Sequence, residues 1–104
     1  MSNSPVAEIV TFRLITGTDP DAFAKAAQDM MPFLHGTGSM TGRVLSCDPD
    51  GTWTDHITWT SLEAAKSAAS QMFERPEAGP FMQMIDPEAM SMRHAPILMQ
   101  TQLE

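Results

Sequence analysis

Between Cys47 and Lys66 the chain leaves almost no slack. Cys47-Asp-Pro-Asp-Gly-Thr-Trp-Thr-Asp-His-Ile-Thr-Trp-Thr-Ser-Leu-Glu-Ala-Ala-Lys66 reads as a strand end, a tight turn, a second strand and a helix opening. Asp48-Pro49-Asp50-Gly51 has hairpin chemistry, because proline presets φ and glycine accepts a positive one. Thr52 to Thr60 alternates β-branched and aromatic residues at period two, as a strand does. Thr60-x-x-Glu63 has the form of a capping box, so a helix is predicted at once, over about Ser61 to Glu74. Such a chain is bound to an antiparallel hairpin with a helix close behind it.

The flanking segments extend the pattern. Val6 to Ile15 is predicted as the first strand, with Val6, Val10, Phe12 and Leu14 on one face and Glu8 near its end. Ala7, Ile9, Thr11, Arg13 and Ile15 take the other face. Thr18 or Asp19 caps the next helix, where Pro20 falls in the first turn and needs no N–H donor. Phe23, Ala27, Met30 and Leu34 recur at helical spacing, Pro32 ends or kinks the helix, and His35-Gly36 closes it. The second strand is expected from about Arg43 to Cys47. In the second helix Leu62, Ala65, Ala68 or Ala69, Met72 and Phe73 face the core, and Pro76 stops it. Glu77 to Ile85 reads as a shorter helical segment and Met90 to Gln100 as the fourth strand.

The resulting β-α-β-β-α-(α)-β order is the split βαβ, ferredoxin-like pattern of an α+β domain. It implies a four-stranded antiparallel sheet with helices on one face and strands one and three at its centre. All of residues 1–104 is expected to form one domain. The uncovered face mixes Ile9, Ile15, Ala95 and Ile97 with Thr11, Arg13, His56, Thr58 and Arg93. Leaving its apolar part in water is unfavourable by about 25 cal/mol per Å². A second copy of the same face is the simplest cover, so a two-fold homodimer is expected.

Composition excludes several functions. A net charge of −7 argues against nucleic acid and anionic membrane as partners, and an acidic surface also serves solubility. The lone cysteine, Cys47, excludes an internal disulfide and a Cys-rich zinc site, and reads as a small buried residue. With the polar start Met-Ser-Asn-Ser-Pro and no membrane-length apolar run, the cytoplasm is the expected compartment by default. Three histidines and thirteen acids reach no metal spacing, and Gly36-Thr-Gly38 follows a helix and not a strand, so no metal and no nucleotide cofactor is expected.

The candidates for chemistry are few. Trp53, Asp55, Ile57 and Trp59 share one face of the third strand, and the apolar members place that face toward the helices. Asp55 then lies at the edge of an apolar interior, as an acid or base or as a strand-end residue bonding a loop. Trp59 is a flat wall for an aromatic ligand or simply core. His94 shares a strand face with Met92 and titrates near neutral pH if it reaches the interior. Arg13 and Arg93 fall on the opposite face of neighbouring strands, where two close guanidinium groups would need an anion or carboxylate. Ten methionines fit a plastic core or a deformable apolar pocket.

Phe12-Arg13-Leu14, Asp21-Ala-Phe-Ala, Gly51-Thr-Trp-Thr-Asp-His-Ile-Thr-Trp59, Ser61-Leu-Glu-Ala-Ala and Phe81-x-x-x-Ile85-Asp86 together resemble the dimeric α+β barrel superfamily. The likeness is greatest to antibiotic-biosynthesis-monooxygenase-like domains, and it covers nearly the whole chain. It implies a barrel made from two sheets and a ligand cavity between each sheet and its helices. The haem-degrading branch of this superfamily uses a histidine on the second helix, and Ser61 to Glu74 has none, so haem is not expected. The resemblance implies a cofactor-independent oxygenase or isomerase of an apolar or aromatic small molecule. Its pocket would be lined by Phe12, Met30, Trp59 and Met72, with Asp55 and His94 as polar contacts. The alternative is a non-catalytic dimeric module for small-ligand binding or assembly, which the lack of a strong catalytic constellation favours.

Overall fold

The hairpin organises the sheet. In the computed structural model, which describes residues 4–101, β2 (Met40–Cys47) and β3 (Trp53–Trp59) flank the Asp48–Gly51 turn, where Gly51 takes φ +90°. β1 (Val6–Phe12) pairs antiparallel with β3, and β4 (Ser91–Pro96) pairs antiparallel with β1, giving the order β2-β3-β1-β4. The helical elements are α1 (Pro20–Asp29), α2 (Met31–Gly36), α3 (Leu62–Met72) and α4 (Gly79–Gln83), with 3-10 turns at Pro76–Ala78 and Pro87–Ala89. The four-stranded α+β, ferredoxin-like architecture is therefore present. Residues 1–3, which belong to the polar start, and residues 102–104 lie outside the described residues.

Several boundaries differ from expectation, each for a local reason. β1 ends at Phe12 and not at Ile15, because beyond it the chain leaves β4 for the segment after α4. There Leu14 bridges Ile85, the Ile15 N–H donates to the Met84 carbonyl and the Asp86 N–H to that of Arg13. β2 begins three residues early, at Met40, across a bulge between Met40 and Gly42. The helix from Pro20 breaks at Met30, since Pro32 has no N–H for the ladder, and Thr37 takes the C-cap place expected of Gly36. The side-chain cap of α3 is Ser61, whose hydroxyl accepts from the Ala64 N–H, and not Thr60, whose own N–H closes onto the Ser39 carbonyl. β4 stops at Pro96, and the Ile97 N–H turns to the Pro5 carbonyl.

The core lies between the helices and one sheet face. Phe12, Phe23, Met30, Leu34 and Trp59 are its largest fully buried side chains. The helical stripe Phe23, Ala27, Met30 and Leu34 is buried throughout, spanning α1 and α2. Ala65 and Ala68 are the contact face of α3, and their small side chains let the helix lie close to the sheet. Leu62 and Phe73, expected to join that face, are exposed at the two ends of the helix, Phe73 by 78%. Cys47 is also exposed, because it ends an edge strand at the hairpin. Arg13 and Arg93 do not meet. Arg93 sits opposite Ile9, whereas Arg13 lies past the end of β1 and reaches Asp50 in the hairpin at 3.8 Å.

On the other face, register sets Val44, His56, Ile9 and Arg93 in one row across the four strands. Gly42, Thr58, Ala7 and Ala95 form the next row. Val44 is 63% exposed there.

Candidate functional site

The alternation of β1 puts Val6, Glu8, Val10 and Phe12 under the helices, and that of β3 does the same for Trp53, Asp55, Ile57 and Trp59. Between these strands and the helices lies a cavity of about 130 Å³. Its floor is Glu8, Val10, Phe12, Asp55 and Ile57, and its walls include Met30, Ala69, Met72, Phe81, Met82 and Ile85. Phe73, Met90 and Met92, all substantially exposed, complete the lining on the solvent side.

Aromatic rings support one wall. Phe12 meets Phe81 edge-on with centroids 6.5 Å apart, and Phe23 stacks on Phe81 at 4.9 Å. Trp53 packs edge-on against Phe23 at 4.9 Å behind them. Offset and edge-on pairs of this kind suit the ring quadrupole and hold the wall in place.

Of the six expected pocket residues, Phe12, Met30, Asp55 and Met72 line this cavity. Trp59 does not. It lies opposite Val6 at the far end of the sheet, 1% exposed, with its indole N–H unpartnered among the described residues. His94 does not line the cavity either, but its Nε2 lies 2.9 Å from Oε2 of Glu8, which does.

Asp55 is not a free acid. Both its oxygens accept from Arg43, Oδ1 from Nε at 3.0 Å and Oδ2 from Nη2 at 2.7 Å. Arg43 is itself buried, donates Nη1–H to the Ala27 carbonyl at 2.9 Å and lies 5.5 Å from the Phe81 ring centroid. This fork-to-fork pair spans β2, β3, the C-terminal half of α1 and α4. Its geometry satisfies the carboxylate in place and fixes the arginine, which a lone lysine charge would not do as well.

Sequence reasoning passed over Arg43 and gave Glu8 no role. Both carried a signal. Glu8 is the single charge in the apolar alternation of the first strand. Arg43 becomes visible by counting back across the hairpin: Leu45 opposes Asp55, and Arg43 is the diagonal neighbour on the same face. Among the described residues no three His, Cys, Asp or Glu side chains come together as a metal set, and no helix is long and apolar enough to cross a membrane.

No protein-family model and no curated protein sequence matches the chain. Solved structures do match it. SnoaB, a cofactor-independent oxygenase from Streptomyces nogalater, superposes with a TM-score of 0.67 at 16% identity, over 96% of this chain and 97% of that one. A candidate antibiotic biosynthesis monooxygenase from Chloroflexus aurantiacus gives 0.71 at 16% identity, over 97% and 100%. A dimeric ferredoxin-like protein of unknown function from Thermobifida fusca gives 0.69 at 8% identity, over 91% and 92%. The chain thus has the α+β fold of the antibiotic-biosynthesis-monooxygenase-like proteins, over nearly its whole length.

Proposed function

We propose that the protein is a small cofactor-independent oxygenase or isomerase that takes an apolar, ring-sized molecule into the cavity between sheet and helices. The carrying observation is the cavity itself. Its lining is apolar apart from two carboxylates, one of them neutralised by Arg43. Its volume of about 130 Å³ is of the order that holds one aromatic ring. Methionines at the walls and rim adapt to more than one ligand shape. The shared fold with SnoaB supports the oxygenase side of this reading.

The non-catalytic alternative has its own support. Asp55 is occupied, and Trp59 and His94 stand outside the lining, so the expected convergence of these three groups is missing. In either case the working unit is a homodimer through the helix-free sheet face, where Val44, Ile9 and His56 share a row. Native mass spectrometry of the freshly purified protein, followed by solvent extraction, tests the ligand reading. A dimer carrying an extractable apolar molecule is expected. A protein that is ligand-free and takes up no aromatic compound on screening would favour the assembly module.

A further inference from the structure

The cavity holds one polar atom that its surroundings leave uncommitted. The Glu8 side chain is only 7% exposed, yet it lines the cavity. Oε2 is engaged by His94 Nε2 at 2.9 Å, whereas Oε1 has no hydrogen-bond partner among the described residues. A carboxylate buried among apolar groups is costly unless both oxygens are satisfied. Asp55, in the same lining, shows the satisfied case, with both oxygens held by Arg43. Glu8 differs in that only one of its oxygens is held by a side chain, although the residue lines the same cavity.

Resting on the ligand reading above, we propose that Glu8 is the proton acceptor of the cavity and His94 its positioning partner, so that the site selects apolar molecules bearing one weakly acidic proton. The juxtaposition is specific. Glu8 and His94 are direct cross-strand neighbours on β1 and β4, and the His94 side chain, 21% exposed, is the more accessible of the two. With Nε2 protonated, His94 donates to Oε2 and fixes the carboxylate, leaving Oε1 for the ligand. The other charged groups on this side of the sheet are Asp55 and Arg43, which pair with each other. The walls contributed by α3 and α4 present Ala69, Met72 and Met82, and β4 adds Met92, none of which titrates.

The step balances without a co-reactant. Glu8 Oε1 takes a proton from a ligand O–H, or from a C–H beside a carbonyl. That bond breaks, its electron pair stays on the ligand as phenolate or enolate, and the carboxylate becomes a carboxylic acid. Return of the proton to a different ligand atom restores the carboxylate and completes an isomerisation.

Binding of phenol and toluene, titrated into the purified protein by calorimetry, separates this proposal from the reading on which it rests. Both should bind, phenol more tightly. Glu8→Gln, which keeps the size and an acceptor for His94, should weaken phenol about tenfold, the worth of a hydrogen bond to a charged group, and leave toluene unchanged. His94→Leu, which removes the partner of Oε2, should shrink the preference for phenol and leave toluene unchanged, which a merely structural tie between β1 and β4 would not produce; His94→Gln, which keeps a donor, should restore most of it. If toluene binds and phenol shows no preference, the dyad is overturned and the cavity reading stands. If neither binds, both fall. Should Glu8→Gln fail to fold, the wild-type preference for phenol and the His94 variants decide on their own.

Discussion

Asp50 is exposed, yet its carboxyl is held below the ordinary aspartate value of 3.8. The main cause is the Thr52 backbone N–H, which donates to Oδ1 at 3.0 Å; the Thr52 hydroxyl and the Arg13 guanidinium add to it. A group whose pKa is lower folded than unfolded contributes stability above the unfolded value and loses it as pH falls through the folded one. The Asp50 carboxyl, followed by NMR, is therefore expected to titrate below 3.8, and Asp50→Asn to remove that part of the acid-induced loss of stability. Titration at or above 3.8 would contradict the hairpin geometry. The buried Arg43–Asp55 pair makes a larger claim. Arg43→Met or Asp55→Asn leaves one charge without its partner and should each cost about 3–5 kcal/mol in urea unfolding. Arg43→Met combined with Asp55→Leu should cost clearly less than the sum of the single changes, because no lone charge remains. Additive losses would show that the two residues act separately.

At the scale of elements, local chemistry was legible wherever it is complete within a few residues. The Asp48–Gly51 turn, the alternation of β3 and the stripe Phe23, Ala27, Met30, Leu34 needed no knowledge of the rest of the chain. Ends were harder to read, because tertiary partners decide them. Thr60 and Ser61 are both good caps by type, and it is the bond from the Thr60 N–H to the Ser39 carbonyl that holds Thr60 to the sheet and leaves the cap to Ser61. Ser61→Ala should accordingly cost about 1 kcal/mol in thermal or urea unfolding and Thr60→Ala only a few tenths. Equal losses, or the reverse order, would restore Thr60 as the cap. Phe73 shows the same limit. Its spacing continues the apolar side of the helix, but the helix ends at Met72 and leaves the ring at the open side of the cavity.

For the whole molecule, the face of each strand could be read from alternation, whereas the site depends on where a gap opens between layers. Alternation alone does not say that Trp59 lies at the closed end of the core while Phe81, Met82 and Ile85 stand over the space. Nor does it say that Asp55 is taken by Arg43, since that needs the hairpin register. The two faces separate experimentally. Ile9→Asp combined with Val44→Asp should convert a dimer at micromolar concentration into a folded monomer by light scattering, because both changes fall in one row of the uncovered face. Trp59→Ala should instead cost about 3–5 kcal/mol of stability and leave the dimer intact. Dissociation by Trp59→Ala with the monomer fold retained would mean that the faces are exchanged.

The methionines allow the most direct measurement. Met30, Met72, Met82, Met90 and Met92 line the cavity, whereas Met31 and Met40 line an open groove beside β2 on the outside. Titrating toluene into protein labelled at the methionine methyl groups should move the NMR signals of the five cavity methionines and leave those of Met31 and Met40 in place. Shifts confined to Met31 and Met40, or no shift at saturating toluene, would contradict an interior binding site.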